Sequence, residues 1–153
     1  MKTIDQWLDE YGSHHQNATN KIIHWICVPV IFFSVVGILY SVKLPYTVFE
    51  FKLNLAVFAL VFVMLYYQKL SATLSFGMFL FAILCLYFCN LAELNGYRLW
   101  LISLILFGAA WIGQFIGHKI EGQKPSFLDD LQFLLIGPAW LMSFIYKKIG
   151  VKI

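Results

Sequence analysis

Apolar and polar positions fall along this chain in long blocks. Residues 3–12 place Ile4, Trp7, Leu8 and Tyr11 at the i, i+3, i+4, i+7 spacing of one helix face, opened by the T-x-x-Q pair Thr3 and Gln6. That pattern predicts a short amphipathic helix lying flat at a membrane interface. Gly12 and Ser13 end it, and a polar run from His14 to Asn20 leads into the next helix, with Thr19 or Asn20 expected as its cap. Four windows then follow without Asp, Glu, Lys or Arg: Ile22 to Tyr40, Leu53 to Tyr67, Leu74 to Phe88 and Leu99 to Ile116. Each approaches or reaches the roughly 17 to 25 residues that cross about 30 Å of hydrocarbon, so four transmembrane helices are expected, the first bent at Pro29.

The connections are short. Ser41 to Phe51 joins the first two spans, Gln68 to Ala72 makes a tight turn at Lys69, and Asn90 to Arg98 links the third span to the fourth. Lys119 to Pro125 breaks the apolar pattern, and Ser126 with Asp129 forms an S-x-x-D box opening a last helix. That helix is interrupted by Gly137-Pro138 and ends at Lys147 and Lys148, too broken for a fifth span, which predicts an interfacial or re-entrant segment. The expected fold is an all-α integral membrane bundle. Residues 1–153 form one domain: an interfacial helix and histidine loop (1–20), four spans (21–118), then a loop and C-terminal helix (119–153).

Composition sharpens this. Of 153 residues, 61% are apolar and only 12% charged, about half the charged share of a soluble domain. The first span lacks a small-residue cleavage site and should persist in the mature protein. Cys27, Cys85 and Cys89 lie in apolar windows and read as packing residues, since no further pair completes a thiolate site for Cys85 and Cys89. A net charge of +3 without a basic patch gives no reason to expect nucleic acid as a partner. Charge placement orients the bundle. With four spans, Lys2, Lys21, Lys69, Lys119, Lys124, Lys147, Lys148 and Lys152 share one side and Lys43, Lys52 and Arg98 the other. The positive-inside rule assigns the larger set, and both termini, to the cytoplasm. Compact size favours a bacterial inner membrane over endoplasmic reticulum.

The same topology gathers the chemistry. His14, His15, His24 and His118 are all the histidines in the chain, and all fall at the cytoplasmic level where the first span starts and the fourth ends. In a sequence so poor in polar residues that convergence points to a metal site. Glu121, three residues after His118, joins them, and imidazoles with a carboxylate are the ligand chemistry of non-haem Fe(II). The alternatives are single-purpose interfacial histidines in a lipid-organising module, or a non-enzymatic protein binding haem or a structural metal. HExxH, GxSxG and phosphate-cradling glycine motifs are missing from the sequence.

At these residues the chain resembles a known family, the iron(II)-dependent 2-hydroxy fatty acid dioxygenases first characterised in fungi. Tyr11, His15, Asn20, His24 and Val28-Pro29 carry the resemblance near the N-terminus. Trp111, Gln114-Phe115, Gly117-His118, Glu121, Pro125, Leu128 and Leu131 carry it after the hydrophobic middle. The resemblance implies a membrane enzyme that uses Fe(II) and O2 to convert a 2-hydroxy fatty acid to the acid one carbon shorter, releasing CO2, without 2-oxoglutarate. It implies His15, His24 and His118 as iron ligands, with Glu121 a further candidate and His14 the weakest member of the cluster. Tyr11, Asn20 and Gln114 are then candidates to orient the imidazoles by hydrogen bonds. Lys21, Lys119 or Lys124 could steer an anionic headgroup. Oligomeric state and chain length are left open.

Overall fold

The structure, a computed structural model, describes residues 2–48, 51–124 and 132–153. The Ser126/Asp129 capping box and the positions Pro125, Leu128 and Leu131 lie outside the described residues. Among the described residues there are six helices: α1 (Ile4–Ser13), α2 (Ala18–Ser41), α3 (Leu55–Leu70), α4 (Ala72–Leu94), α5 (Leu99–Glu121) and α6 (Phe133–Ile149). Of these, α2, α4 and α5 are long and apolar enough to cross a membrane. The second expected span is weaker. α3 has 16 residues, about 24 Å of helix, less than the hydrocarbon thickness. Large apolar side chains clothe the outside of the bundle: Phe62, Phe76, Ile105 and Ile112 are each more than 60% exposed. A surface of that kind belongs in lipid, and the chain is a membrane protein.

Local signals explain most boundaries. The α1 capping box forms as expected, Thr3 accepting from the Gln6 amide while the Gln6 side chain accepts from that of Thr3. Asn17, two residues earlier than the expected Thr19 or Asn20, caps α2 by accepting from the N–H groups of Thr19 and Asn20. Asn20 is thereby freed for a different task. Ser71 closes α3 and opens α4, its hydroxyl accepting from Leu74 N–H. The connection expected as a loop after the first span is instead an antiparallel hairpin of β1 (Lys43–Val48) and β2 (Phe51–Asn54), its register irregular between Lys43 and Thr47, where Pro45 cannot donate to the ladder. Its end of the bundle is tied by Lys43 to Glu93 at 2.7 Å, with the same ammonium 3.7 Å from the centre of the Tyr40 ring.

Packing begins with α2 against α5. On the antiparallel seam between them, Gly37 meets Ser103, Gly113 meets Cys27 and Gly117 meets Asn20. A methyl group at Gly113 would sit 2.6 Å from the Cys27 sulfur, so glycine is what lets the backbones approach. Gly113 and Gly117 form a G-x-x-x-G pair, the small-residue spacing that draws membrane helices together. Cys85 and Cys89 are buried among Val36, Tyr40 and Leu60, as packing residues.

The C-terminal helix α6 runs unbroken through Gly137-Pro138. Tyr67 of α3 donates to Leu135 O at 2.7 Å, while Tyr146 donates to Thr73 O of α4 at 2.8 Å. Both ends of α6 therefore touch the Ser71 end of the α3–α4 hairpin. Its contacts with α2 fall at Trp25 and Val28, in the first turns of that helix. α6 lies across one end of the bundle, in keeping with an interfacial helix. The apolar stripe of α1 is covered by it, through Trp7 edge-on to Phe133 at 5.5 Å and Tyr11 beside Trp140 at 5.3 Å. The stripe expected to rest on lipid thus packs on protein.

These contacts single out Gly117. A side-chain carbon there would strike the Asn20 carbonyl oxygen, and Asn20 is held by a hydrogen bond to Glu121. Gly117→Ala should lower stability by about 1–3 kcal/mol, seen as an earlier thermal transition in detergent. Gly108→Ala, with open space around it, should match the parent or exceed it by roughly 0.5–1 kcal/mol.

Candidate metal centre

Three elements deliver three imidazoles to one point. His15 comes from the loop after α1, His24 from the second turn of α2 and His118 from the last turn of α5; all three are buried. One ligating atom from each lies within 4.8 Å of the other two. Ring centres are 4.2 Å apart for His15 and His24, and 5.1 Å for each with His118.

Backbone carbonyls set the tautomers. His15 Nδ1 faces Tyr11 O at 2.6 Å and His24 Nδ1 faces Asn20 O at 3.0 Å. A carbonyl oxygen only accepts, so each Nδ1 carries a proton and donates it, leaving each Nε2 with a lone pair. Those two Nε2 atoms then face each other 2.9 Å apart. Two lone pairs at that distance repel unless a cation lies between them. Ligands at right angles around a metal, with metal–nitrogen bonds of about 2.1 Å, are roughly 3 Å apart, so the residues present fit a metal ion. The His15–His24 pair, at 2.9 Å, does not match a haem held between two histidines, whose nitrogens would be about 4 Å apart across the iron. Burial pushes the His15 imidazole down to about 4, which keeps it neutral and available as a ligand near pH 7.

The other expected site residues take different places. Glu121 is outside the three-imidazole group. Its carboxylate accepts from Gln16 N–H at 2.7 Å, Asn17 N–H at 3.0 Å and the Asn20 side-chain amide at 2.8 Å. α5 thus reaches back over 105 residues to clamp the loop that carries His15. Asn20 orients His24 through its backbone, and its side chain serves the clamp. Tyr11 likewise acts through its carbonyl, while its ring stacks on His15 at 4.3 Å, tilted by 14°. Gly137 makes room for that ring, since a side-chain carbon there would lie 2.9 Å from the phenol oxygen. His14 is outside the three-imidazole group, its ring centre 6.5 Å from that of Phe133. Gln114 bonds no imidazole: it is 5% exposed, and its Nε2 has no partner among the described residues.

A cavity of about 530 Å³ reaches the centre from the membrane side. His118, Gln114 and Tyr11 line its inner end, and α2, α3 and α5 wall it as far as Leu39 and Ala56. From Val28 to Leu39 it follows eleven residues of α2, about 16 Å. Among the described residues, no Asp, Glu, Lys or Arg lines it. The lysines expected to steer a headgroup are elsewhere: Lys21 borders a second, polar cavity of about 300 Å³ that touches His15 from the other side, with Asp9 and Lys147.

Removing the Glu121 carboxylate should release the loop. Glu121→Leu leaves two backbone N–H groups and the Asn20 amide without their acceptor, and should cost about 1–3 kcal/mol with faster hydrogen exchange at Gln16 and Asn17. Glu121→Gln, which keeps one carbonyl oxygen, should show a smaller change in the same exchange measurement.

Comparison with known proteins agrees with this geometry. The family described as 2-hydroxy-palmitic acid dioxygenase Mpo1-like matches residues 1–149. A protein of Saccharomyces cerevisiae (strain ATCC 204508 / S288c) named 2-hydroxy-palmitic acid dioxygenase MPO1 is 30% identical over 142 residues, covering 92% of this chain and 78% of its own length. That relative is eukaryotic and lends no support to a bacterial inner membrane. No solved structure matches. The resemblance noted around Tyr11–Pro29 and Trp111–Leu131 is therefore a family relationship: the chain belongs to the Mpo1-like family.

Proposed function

We propose that this protein is an iron(II)-dependent dioxygenase that shortens long-chain 2-hydroxy fatty acids by one carbon. The reaction balances without an external reductant: R–CHOH–COOH and O2 give R–COOH, CO2 and water. The observation that carries the reading is the placement of three buried imidazoles, two with lone pairs directed at one point, at the inner end of an apolar cavity. Family membership supports the same substrate class, since the yeast relative is named for 2-hydroxy-palmitic acid.

His15, His24 and His118 would hold the iron, which supplies Lewis acidity and the redox chemistry of O2. The residues of the chain do the rest. Tyr11 and Asn20 carbonyls hold two imidazoles in the ligating tautomer, and Glu121 fixes the loop on which His15 stands. The acyl tail lies along α2 between Phe32, Leu60 and Phe107, where each buried methylene contributes about 0.8 kcal/mol, and the hydroxy-carboxylate head is brought to the histidines. Such positioning turns an encounter of three partners into a reaction within one complex.

The histidine cluster, α1, α6 and the Lys69 turn share one end of the bundle, and the Lys43–Glu93 pair marks the other. The lysine bias supports a reading in which the first end, with both termini, faces the cytoplasm.

Purified protein loaded with Fe(II) and given O2 and a long-chain 2-hydroxy fatty acid should release the acid one carbon shorter, detected by mass spectrometry. The plain fatty acid should be inert because it lacks one chelating oxygen. Turnover of both alike, or of neither by folded, iron-loaded protein, sinks the assignment. Single His15→Ala, His24→Ala and His118→Ala variants should lose most bound iron by elemental analysis and retain helical circular dichroism, while His14→Ala should keep its iron. For orientation, single cysteines introduced into a background lacking Cys27, Cys85 and Cys89 should label from the cytoplasmic side near Lys69 and from the opposite side near Lys43. The reverse pattern refutes the placement.

A further inference from the structure

Gln114 is one of a few buried residues with a polar atom left without a partner among the described residues, and it lines the apolar cavity. It lies one turn before His118 on α5, in a cavity whose remaining wall is nearly all hydrocarbon, and its amide nitrogen has no acceptor among the described residues. A buried donor left in this state is costly, and native proteins rarely keep one without a partner that arrives later. The sequence suggested that Gln114 orients an imidazole, but the tautomers of His15 and His24 are already set by backbone carbonyls, and Gln114 makes no hydrogen bond to His118, whose buried Nδ1 is itself without a partner among the described residues. Its free N–H is therefore available to a ligand, and the i, i+4 spacing puts it on the same face of α5 as His118.

Resting on the function proposed above, we infer that Gln114 binds the carboxylate of the substrate, its Nε2–H donating to a carboxylate oxygen. Among the described residues the cavity offers no Lys or Arg to balance an anionic head, so a neutral amide beside the three-histidine group is the chemistry present to recognise it. A lysine in its place would bury a charge with no counterion whenever substrate was away. Glutamine holds the head at modest cost and leaves the tail to the apolar wall. The assignment makes Gln114 the residue that separates a 2-hydroxy acid from other long-chain lipids bearing a vicinal oxygen.

The test is direct binding. Iron-loaded protein, kept anaerobic, is titrated with 2-hydroxypalmitic acid and with the long-chain vicinal diol of the same length, following quenching of tryptophan fluorescence; Trp111 lines the cavity. Wild type should prefer the acid. Gln114→Leu should weaken acid binding roughly 10- to 100-fold and leave the diol unchanged, while holding its iron and melting no earlier than wild type. Gln114→Glu should bind the acid more weakly still, through repulsion between two carboxylates. Unchanged acid affinity in Gln114→Leu overturns the inference, and so does equal weakening of acid and diol, which would make Gln114 a wall of the cavity. A wild-type protein that binds neither ligand overturns the proposed function together with this inference, whereas failure of the Gln114 variants alone leaves the function standing.

Discussion

The close approach of α2 and α5 is the constraint on which the site depends. His24 and His118 belong to these two helices, and they meet only because Gly117 allows the Asn20 side chain to lie against the α5 backbone. One contact farther along, Gly113 does the same for Cys27. In lipid the hydrophobic effect does not press helices together, so close van der Waals contact between small residues has to do so. Bulk added to the seam would separate the histidines before it exposed any apolar surface.

Three polar links then convert a helix pair into a centre. Glu121 accepts from the loop carrying His15; the Tyr11 carbonyl turns the His15 ring, and the Asn20 carbonyl turns that of His24. Two of the links use main-chain groups left over between helices, the Tyr11 carbonyl in the last turn of α1 and the Gln16 and Asn17 amides just before α2. The third uses the second lone pair of the Asn20 carbonyl within the first turn of α2.

Hydropathy and charge spacing were enough to read the spans, the Ser71 turn, the stripe of α1 and the gathering of His15, His24 and His118, because membrane thickness and one-sided burial write themselves into sequence period. The roles of individual polar residues were less accessible. Glu121 has ligand chemistry and ligand spacing, yet its partners are backbone N–H groups of residues 16 and 17, which no side-chain pattern announces. Asn17 rather than Thr19 or Asn20 caps α2 because the loop geometry, set from the far end of the chain by Glu121, decides where the helix starts. The G-x-x-x-G pair at Gly113 and Gly117 was there to be read. It is hidden in a window where apolar content dominates the signal. The β1–β2 hairpin is short and marked by a proline; β1 breaks the alternation that distinguishes a strand from a loop, and β2 keeps it over only four residues.

The clamp from Glu121 to residues 16 and 17 spans 105 positions. During biosynthesis His15 emerges from the ribosome near the beginning, His24 with the first membrane helix, and His118 with the last long one. No product that stops before the end of α5 holds all three, and the Gln16 and Asn17 amides have no Glu121 to accept from them until α5 has been inserted in the right orientation. A chain that stalls, truncates or inverts a helix would leave its histidines scattered and unable to capture a cation. Under the proposed function, metal uptake would wait until α5 is in place, and reactive chemistry would be withheld from a chain that has not yet inserted that helix.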